Sequence, residues 1–550
     1  MDIRHKIAKQ ILLLDGVIKP DNQISPISNL AHPEEIKQFH HVFRQAGADI
    51  ITANTLGADR LGLQSHQAVG DIEKINTTAI ALARRVAGDA GLVAATIGGP
   101  KSADFTDAKW DFNEQYANYQ EQARLLVACG VDLLIIEEIP DLPTLRAAII
   151  AANSIRGKVP LLVFNTDFNA ELSAQAVMFE SLDVDLIGFS GTSDKCLDAL
   201  AVLRSTTNLP LAVRLKSVKD ASSNALQPFF QGDVAIVGCE SANDAPTLKI
   251  WKKMSATCRP FPHQQAFPLR VASPNRVIAI GAHLPFVKIG ERINPTGRQT
   301  LARELTAGRL ETVLRDAQSQ SEHAADLLDV NVGAPLVDEP LMMTKAVRLL
   351  QQQLTIPLCL DSASPAVIEA GLKNWCGKAL VNSVNAKPSR LQEFLPLVKK
   401  YGAAVIGLCI GDTLPTTVDE RLTMTQTIIA ACHDYGIPLT NLLIDPAALA
   451  IATDAASGPA VLETIRQIKS KFDLPVSLGV SNTSFGLPER ALVHNTFLVQ
   501  AIGAGLDAAL LNLLDENVAD LIAAASLFTG RDPDCRQFLK FFRQRQKRAQ

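Results

Sequence analysis

Short apolar runs recur along the whole chain, and each follows an amphipathic stretch and ends in polar residues. Glycine or alanine followed by aspartate stands before or at the start of several runs, as in QAGADIITANT, ACGVDLLIIEE, EHAADLLDVNVG and GAGLDAALLNLLD. Glycine directly after a helix, followed at once by a β-rich run, is typical of a helix that turns back into a parallel strand. The repeating unit is therefore predicted to be a βα unit.

Eight such runs lie in each half of the chain. Those of the first half are Leu12–Gly16, Asp49–Asn54, Leu92–Gly98, Leu133–Glu138, Leu161–Thr166, Asp185–Gly191, Leu211–Leu215 and Val234–Glu240. Those of the second half are Val287–Asn294, Leu327–Gly333, Leu358–Ser362, Leu380–Asn385, Ala403–Ile410, Leu442–Pro446, Val476–Asn482 and Asp507–Leu513. Eight buried parallel strands in about 250 residues form a (β/α)8 barrel. We predict an α/β protein with two consecutive (β/α)8 TIM barrels.

A proline-rich segment separates the two predicted barrels. The stretch RPFPHQQAFPLRVASPN, from Arg259 to Asn275, holds four prolines and shows little periodicity. Such composition is typical of a linker. We predict barrel domains over 1–258 and 284–530, a linker over 259–283 and a basic C-terminal tail over 531–550.

Composition limits the classes of partner and compartment. Of the 550 residues 47% are hydrophobic and 20% charged, and the formal net charge is −4, which favours a globular protein and argues against nucleic-acid or membrane-surface binding. Nine cysteines without a CxxC pair indicate a reducing compartment. Neither a signal peptide nor a membrane-spanning run is present in the sequence, so we expect a cytoplasmic protein. The basic run KFFRQRQKR is interpreted as a solvated helix end or tail, with partner docking as the alternative.

The residues that close the apolar runs of the second half are small carboxylates and carboxamides. Active sites of (β/α)8 barrels form at the C-terminal ends of the strands. A ring of such groups suits a flat heterocycle with an amino-pyrimidinone edge, because a carboxylate can accept two parallel N–H bonds and a carboxamide can donate and accept. Singly, each could instead cap the following helix. The candidates are Glu291, Asn294, Asp329, Asn331, Asp361, Asn382, Asp445 and Asn482.

The second half also resembles a known family through the segments GERINPTG, DVNVGAP, CLDSAS, VNSVNAK, LLIDPA and GVSNTSFGLPERALVHNTFL, in that order. These are similar to the motifs of pterin-binding methyltransferases that use methyltetrahydrofolate. The resemblance implies that Asp361, Asn382 and Asp445 hold the pterin ring and that Asn482 lies beside N5. A hydrogen-bond donor at N5 would strengthen its bond as the C–N bond breaks, so Asn482 is our candidate catalytic residue. A proton that reaches N5 through water is compatible with this role of Asn482.

In that family the methyl acceptor is a reduced corrinoid carried on another domain or protein. The printed sequence leaves no room for a cobalamin-binding domain after the second barrel and shows no DxHxxG segment. The resemblance therefore implies a separate corrinoid protein as partner.

The first half resembles the homocysteine S-methyltransferase family through LLLDG, ADIITANTLGADR, IGGP and IIEEIPDLPTLRAA. Together the two halves resemble the first two modules of cobalamin-dependent methionine synthases. This implies that Asp15, Asn54 and Glu137 contact a homocysteine-like substrate, and a carboxylate such as Glu137 could take an amino group.

The family's zinc site is incomplete in this sequence. The family holds Zn²⁺ through a cysteine after the sixth strand and an adjacent pair after the eighth, which keeps homocysteine as thiolate. Here Gly191 stands at the first position, and Cys239 is followed by Glu240. Cys239 is a tentative metal ligand, either within an unusual set completed by Cys196 or as an ordinary buried residue, and zinc binding is in doubt.

Three hypotheses about function follow. The first is a methyltransferase that moves the N5-methyl of methyltetrahydrofolate to a separate corrinoid protein and on to homocysteine or another acceptor. The second keeps only the transfer from folate to corrinoid, with the first barrel as a docking scaffold. The third is a non-catalytic folate-binding protein, against which the donor at Asn482 argues. A dihydropteroate synthase would leave the first barrel unexplained.

Overall fold

A computed structural model describes the protein over residues 3–16, 24–99, 110–139, 141–165, 171–215, 227–230, 234–239, 245–256, 258 and 264–549. The chain divides into two compact units, Met1–Gln265 and Ala266–Gln550. Each unit contains one of the two predicted parallel barrels.

All eight apolar runs of the first half contain strands of one closed parallel barrel, in which the first strand along the chain pairs with both the second and the eighth. The strands are β1 (Leu12–Leu14), β2 (Ile50–Ala53), β3 (Leu92–Ile97), β4 (Leu133–Ile136), β5 (Leu161–Asn165), β6 (Leu186–Gly191), β7 (Leu211–Leu215) and β8 (Val234–Cys239). The helices described in this unit are α1 (Ile3–Ile7), α2 (Ser28–Ala31), α3 (Pro33–Ala46), α4 (Arg60–Gln64), α5 (Ile72–Ala87), α6 (Phe112–Ala128), α7 (Leu142–Asn153), α8 (Leu172–Ser181), α9 (Ser193–Thr206) and α10 (Ala245–Ser255).

The barrel interior is filled by alternate residues of the strands, because successive side chains of a strand point to opposite faces. Leu12 and Leu14 of β1, Leu133 and Ile135 of β4, and Phe164 of β5 belong to one buried cluster. Their helix-facing neighbours are buried as well, which explains why the strands read as continuous apolar runs.

The glycines before the strands end helices, as the pattern predicts. Gly47 follows α3 with a φ of 105°, and its N–H bonds to the carbonyl of Arg44. Residues with a side chain rarely adopt this left-handed conformation, whereas glycine does so at little cost.

The second unit repeats the architecture. Counted along the chain, the eight strands of its sheet lie in the order 6-5-4-3-2-1-8-7, and a bridge between Ile444 and Val476 brings the two ends together. Its strands are β11 (Val287–Ile293), β12 (Leu327–Val330), β13 (Leu358–Asp361), β14 (Leu380–Asn385), β15 (Ala404–Leu408), β16 (Leu442–Asp445), β17 (Ser477–Gly479) and β18 (Ala508–Leu511). Its helices are α11 (Gln299–Thr306), α12 (Glu311–Glu322), α13 (Glu339–Gln353), α14 (Pro365–Asn374), α15 (Pro388–Tyr401), α16 (Val418–Asp434), α17 (Ser457–Phe472), α18 (Arg490–Ala504), α19 (Glu516–Phe528) and α20 (Arg536–Ala549). The predicted class of two consecutive TIM barrels is confirmed.

A β-hairpin occupies part of the segment predicted as linker. Strands β9 (Leu269–Ala272) and β10 (Val277–Ile280) pair antiparallel, and their apolar side chains join the core of the second barrel beside residues that begin its strands. Ala272 also donates its N–H to the carbonyl of Lys378 over 2.9 Å. The linker prediction is wrong for this stretch. The prolines around the hairpin are typical of a linker, but the apolar side chains of its strands cover the N-terminal end of the barrel.

The predicted C-terminal tail starts inside the second unit. Arg531 is buried and donates to the carbonyls of Leu284 and Leu506 and to Asp507. Asp532 is buried too and accepts from the backbone at the start of α20. A tail from 531 is thus a wrong boundary, since its first residues bind the barrel. No helix in the described part of the chain combines the length and apolar character needed to cross a membrane.

Candidate active sites at the strand ends

Four of the predicted pterin-binding residues form a linked cluster at the ends of β12, β13 and β14. The Nδ2 of Asn382 donates to Asp329 Oδ1 over 3.0 Å, and the Nδ2 of Asn331 donates to Asp361 Oδ2 over 3.0 Å. Asp361 and Asn382 are register partners on neighbouring strands. Asn331 therefore holds a carboxylate on the neighbouring strand in place, and Asn382 holds one that lies two strands away.

Burial makes this cluster electrostatically unusual. Burial raises the pKa of Asp329 well above its ordinary value, and the nearby Asp361 raises it further. Burial also raises the pKa of Asp361 and of Glu291, and Ser481 partly offsets the second of these shifts by hydrogen bonding to Glu291. Carboxyl groups with raised pKa values in a barrel mouth are typical of binding or catalytic sites.

A cavity of about 320 Å³ opens beside this cluster, over the ends of β15, β16 and β17. Two predicted site residues, Asp445 and Asn482, contribute its polar groups. The remaining lining is apolar and consists of Leu408, Ile410, Ala447, Ala448, Leu449, Ala450 and Phe485. A few convergent polar groups on apolar walls are the usual composition of a small-molecule site.

Asp445 and Asn482 differ in burial and freedom. Asp445 is buried, accepts from the backbone of Ala447 and Gly479, and burial raises its pKa from 3.8 to about 6. Asn482 is exposed, and its Nδ2 lies so close to Gly479 that a Cβ there would be 3.1 Å away. The carboxamide of Asn482 is thus positioned at the cavity while remaining accessible to a ligand.

Asn294 stands apart from the other candidates. Its Oδ1 accepts from the N–H of Thr296 over 3.0 Å, so it stabilises the turn after β11. This contact is the structural role that a lone asparagine after a strand usually has.

Sequence reasoning missed several residues around Asn482. Phe485 is 60% exposed and Arg490 stacks over its ring at 4.6 Å. Arg490 also donates to Ser484 Oγ and to the carbonyl of Ser481, which ties the loop carrying Asn482 to α18. The sequence did contain one signal for this part of the site, an aromatic residue, Phe485, shortly after Asn482.

In the N-terminal barrel, Asp15 and Asn54 are buried in separate hydrogen-bond networks. Asp15 accepts from the N–H and the Oγ1 of Thr52, and burial raises its pKa from 3.8 to about 7. Asn54 donates to the carbonyl of Ser25 and to Asn29. Both side chains are thus engaged within the protein.

Glu137 forms a buried ion pair with Arg214 of β7, and each of the two side chains is 2% exposed. Its other oxygen lies 3.4 Å from the hydroxyl of Thr96. Arg214 also stacks over the ring of Phe164 at 4.3 Å. The carboxylate predicted to take an amino group is therefore already neutralised by an arginine, which sequence reasoning missed.

Among the described residues, Cys239 is not joined by the two further cysteines of the zinc site that the resemblance implies. Cys239 is buried at the end of β8, Gly191 ends β6 without a ligand atom, and Glu240 lies outside the described residues. Cys196 is buried within α9. Among the described residues, no three histidine, cysteine, aspartate or glutamate side chains group so that they could hold a metal ion.

In the comparisons with known proteins, each half of the chain matches a family model. Residues 8–259 match homocysteine S-methyltransferases, and residues 290–512 match pterin binding enzymes. The methionine synthase of Mycobacterium tuberculosis is 26% identical over 535 residues, which cover 88% of this chain and 45% of that protein. The chain therefore spans less than half the length of this relative.

Two of the solved structures that resemble this chain each match about one half of it. The metallated homocysteine methyltransferase of Escherichia coli is 19% identical with a TM-score of 0.39, covering 45% of this chain and 98% of that one. The dihydropteroate synthase of Yersinia pestis is 18% identical with a TM-score of 0.36, covering 47% and 98%.

Proposed function

Because the chain carries a homocysteine S-methyltransferase-type domain followed by a pterin-binding domain, we propose that it is a methyltransferase using methyltetrahydrofolate. It transfers the N5-methyl group to a corrinoid carried on a separate protein, and onward to an acceptor such as homocysteine. The observation that carries the proposal is the cavity in which Asp445 and Asn482 face apolar walls.

Binding of the pterin ring follows from the polar groups at the mouth of the second barrel. The carboxylates of Asp361 and Asp445 accept N–H bonds from the amino-pyrimidinone edge, and Asn382 can both donate and accept. The apolar walls around Phe485 cover the faces of the ring. Together these groups orient N5 and its methyl toward the open side of the cavity.

Transfer itself needs a better leaving group at N5. A reduced corrinoid on the partner protein would accept the methyl group, while N5 keeps the electron pair of the broken C–N bond and a proton from solvent joins that pair. The Nδ2 of Asn482 donates a hydrogen bond to N5, and this bond strengthens as negative character develops there. A contact that strengthens toward the transition state raises the rate of the step.

The test is corrinoid-dependent demethylation of methyltetrahydrofolate by the purified full chain. A reduced corrinoid supplied free or on a carrier protein should gain the methyl group, and tetrahydrofolate should form in equal amount. Binding of methyltetrahydrofolate without any turnover under these conditions would instead favour the non-catalytic folate-binding protein.

A second candidate function is transfer from folate to corrinoid alone, with the first barrel as a docking scaffold. Two observations favour this function. Glu137 is paired with Arg214, and β6 ends at Gly191, which has no side chain to bind a metal ion. Methionine formation from homocysteine, assayed with the methylated corrinoid protein, separates the two functions.

A further inference from the structure

Arg214 crosses the interior of the N-terminal barrel near the C-terminal ends of its strands. It lies on β7, in register with Ser190 of β6 and Gly238 of β8. Its guanidinium nevertheless reaches Glu137 at the end of β4 and Phe164 on β5. Because β4 and β7 are three strands apart in the closed barrel, the side chain must span the interior to make this contact.

Two nitrogens of this guanidinium have no hydrogen-bond partner among the described residues. Only Nη1 bonds to Glu137, whereas Nε and Nη2 are buried and unpaired. Nε and Nη2 share one edge of the planar group, the edge that binds a carboxylate through two parallel N–H···O bonds. The same chain uses this edge elsewhere, since Nε and Nη2 of Arg60 both donate to Glu121.

The nearby carboxylates do not fill this edge. Asp15 is engaged by the N–H and hydroxyl of Thr52, and Glu137 is engaged by Nη1 and approached by Thr96. Buried polar groups are almost always paired in folded proteins, with protein, water or ligand. An unpaired fork on a buried guanidinium in a barrel mouth therefore points to a missing hydrogen-bond acceptor, and a carboxylate matches the geometry of this fork.

We propose that the mouth of the N-terminal barrel binds the carboxylate of a small organic acid through Nε and Nη2 of Arg214, without a metal ion. Short residues flank the arginine on both neighbouring strands, Ser190 on one side and Gly238 on the other. Gly191 and Cys239, which mark the family's zinc positions in this sequence, lie one residue further along β6 and β8. The positively charged group near these positions is therefore the guanidinium of Arg214.

The arginine also sets which acids fit. Glu137, the carboxylate available for an ammonium group, is neutralised by Arg214, so the site gains little from an α-amino group. We expect a carboxylate without a neighbouring ammonium to bind at least as well as the corresponding amino acid.

The test uses isothermal titration of the full chain with butyrate, and with butyramide as a neutral probe of the same shape. Butyrate should bind saturably in the presence of a chelator, and butyramide roughly tenfold or more weakly, as the loss of charge-assisted hydrogen bonds implies. Arg214→Lys keeps a cation beside Glu137 but loses the fork, and it should weaken butyrate binding by a similar factor. Methyltetrahydrofolate affinity should not change in this variant.

Equal affinity for butyrate and butyramide, binding that disappears with the chelator, or unchanged butyrate affinity in Arg214→Lys would each overturn the proposal. Should Arg214→Lys fail to fold, Arg214→Met combined with Glu137→Met removes both buried charges and provides the same comparison. These outcomes do not depend on corrinoid-linked demethylation, which tests the second barrel.

Discussion

Burial gives chemically similar side chains of the second barrel different properties. Asp445 and Asp329 are buried and have raised pKa values, whereas Asn482 is exposed at the cavity and Asn294 is used in a turn. Two predictions follow at the scale of single residues, one for the hydrogen-bond donor Asn482 and one for the carboxylate of Asp445.

Replacing Asn482 with alanine should slow methyl transfer far more than it weakens binding. The bond from Asn482 to N5 strengthens only as the C–N bond breaks, and loss of one such donor typically lowers the rate by about 10²- to 10³-fold. Single-turnover demethylation measures the rate, and titration with methyltetrahydrofolate measures the affinity. Asn517→Ala, which removes an exposed carboxamide on α19, serves as the matched control. Equal losses of rate and affinity would place Asn482 in ring binding alone.

The affinity for methyltetrahydrofolate should depend on pH through Asp445. Because the pKa of Asp445 is about 6, the carboxyl group of the free protein is protonated at lower pH. It must lose this proton before it can accept two N–H bonds from the pterin ring. The dissociation constant should therefore rise roughly tenfold per pH unit below about 6 and level off above it. Titrations from about pH 5 to about pH 8 measure this. A constant affinity over that range would exclude this role for Asp445.

At the scale of elements, the loop after β16 is held to α16 by one buried arginine. Arg421 donates from Nε to the carbonyl of Pro446 over 2.8 Å, from Nη1 to Thr417 and from Nη2 to Ala447. Thr417 and Glu420 form a capping box at the start of the same helix. The loop that follows Asp445 is thus fixed by a side chain near the start of α16.

Arg421→Met should destabilise the second unit and loosen its cavity. Unpaired buried carbonyls cost about 1 to 3 kcal/mol of unfolding free energy, and the displaced backbone at Ala447 should weaken methyltetrahydrofolate binding. Denaturant unfolding and ligand titration measure the two effects. Arg466→Met removes an exposed arginine paired with Glu463 and should change stability by less than about 0.5 kcal/mol. Similar effects of both variants would contradict the anchoring role of Arg421.

At the scale of the whole molecule, each unit has its own barrel and its own buried core. The hairpin β9–β10 covers the N-terminal end of the second barrel, so a fragment meant to hold this barrel must begin before Leu269. This boundary lies well before the predicted start at 284.

The fragment Ala266–Gln550 should fold alone and bind methyltetrahydrofolate with the affinity of the full chain. All residues of the cavity and of the carboxylate cluster lie within this unit. A fragment starting at 284 lacks the hairpin and exposes the apolar residues at the start of the strands, so it should be less stable. Circular dichroism and titration of both fragments measure these outcomes, and equal stability would show that the hairpin is dispensable.

The sequence by itself determined the sixteen barrel strands, the class of fold and the set of polar residues at the strand ends. All of these depend on local information. Apolar runs, the glycines that end helices and the polar residues at strand ends are each recognised from residues that are neighbours along the chain. The family resemblance added the order of the two domains, which the family models match.

Only the tertiary structure decided which of these polar groups lie together. The pairing of Asn382 with Asp329, the cavity shared by Asp445 and Asn482, and the ion pair of Arg214 with Glu137 join residues that lie far apart in sequence. A single arginine in a strand carries no local sign of its partner, since the partner is brought to it by closure of the barrel. The hairpin was hidden for the same reason, because its apolar face is recognisable only against the barrel that it covers.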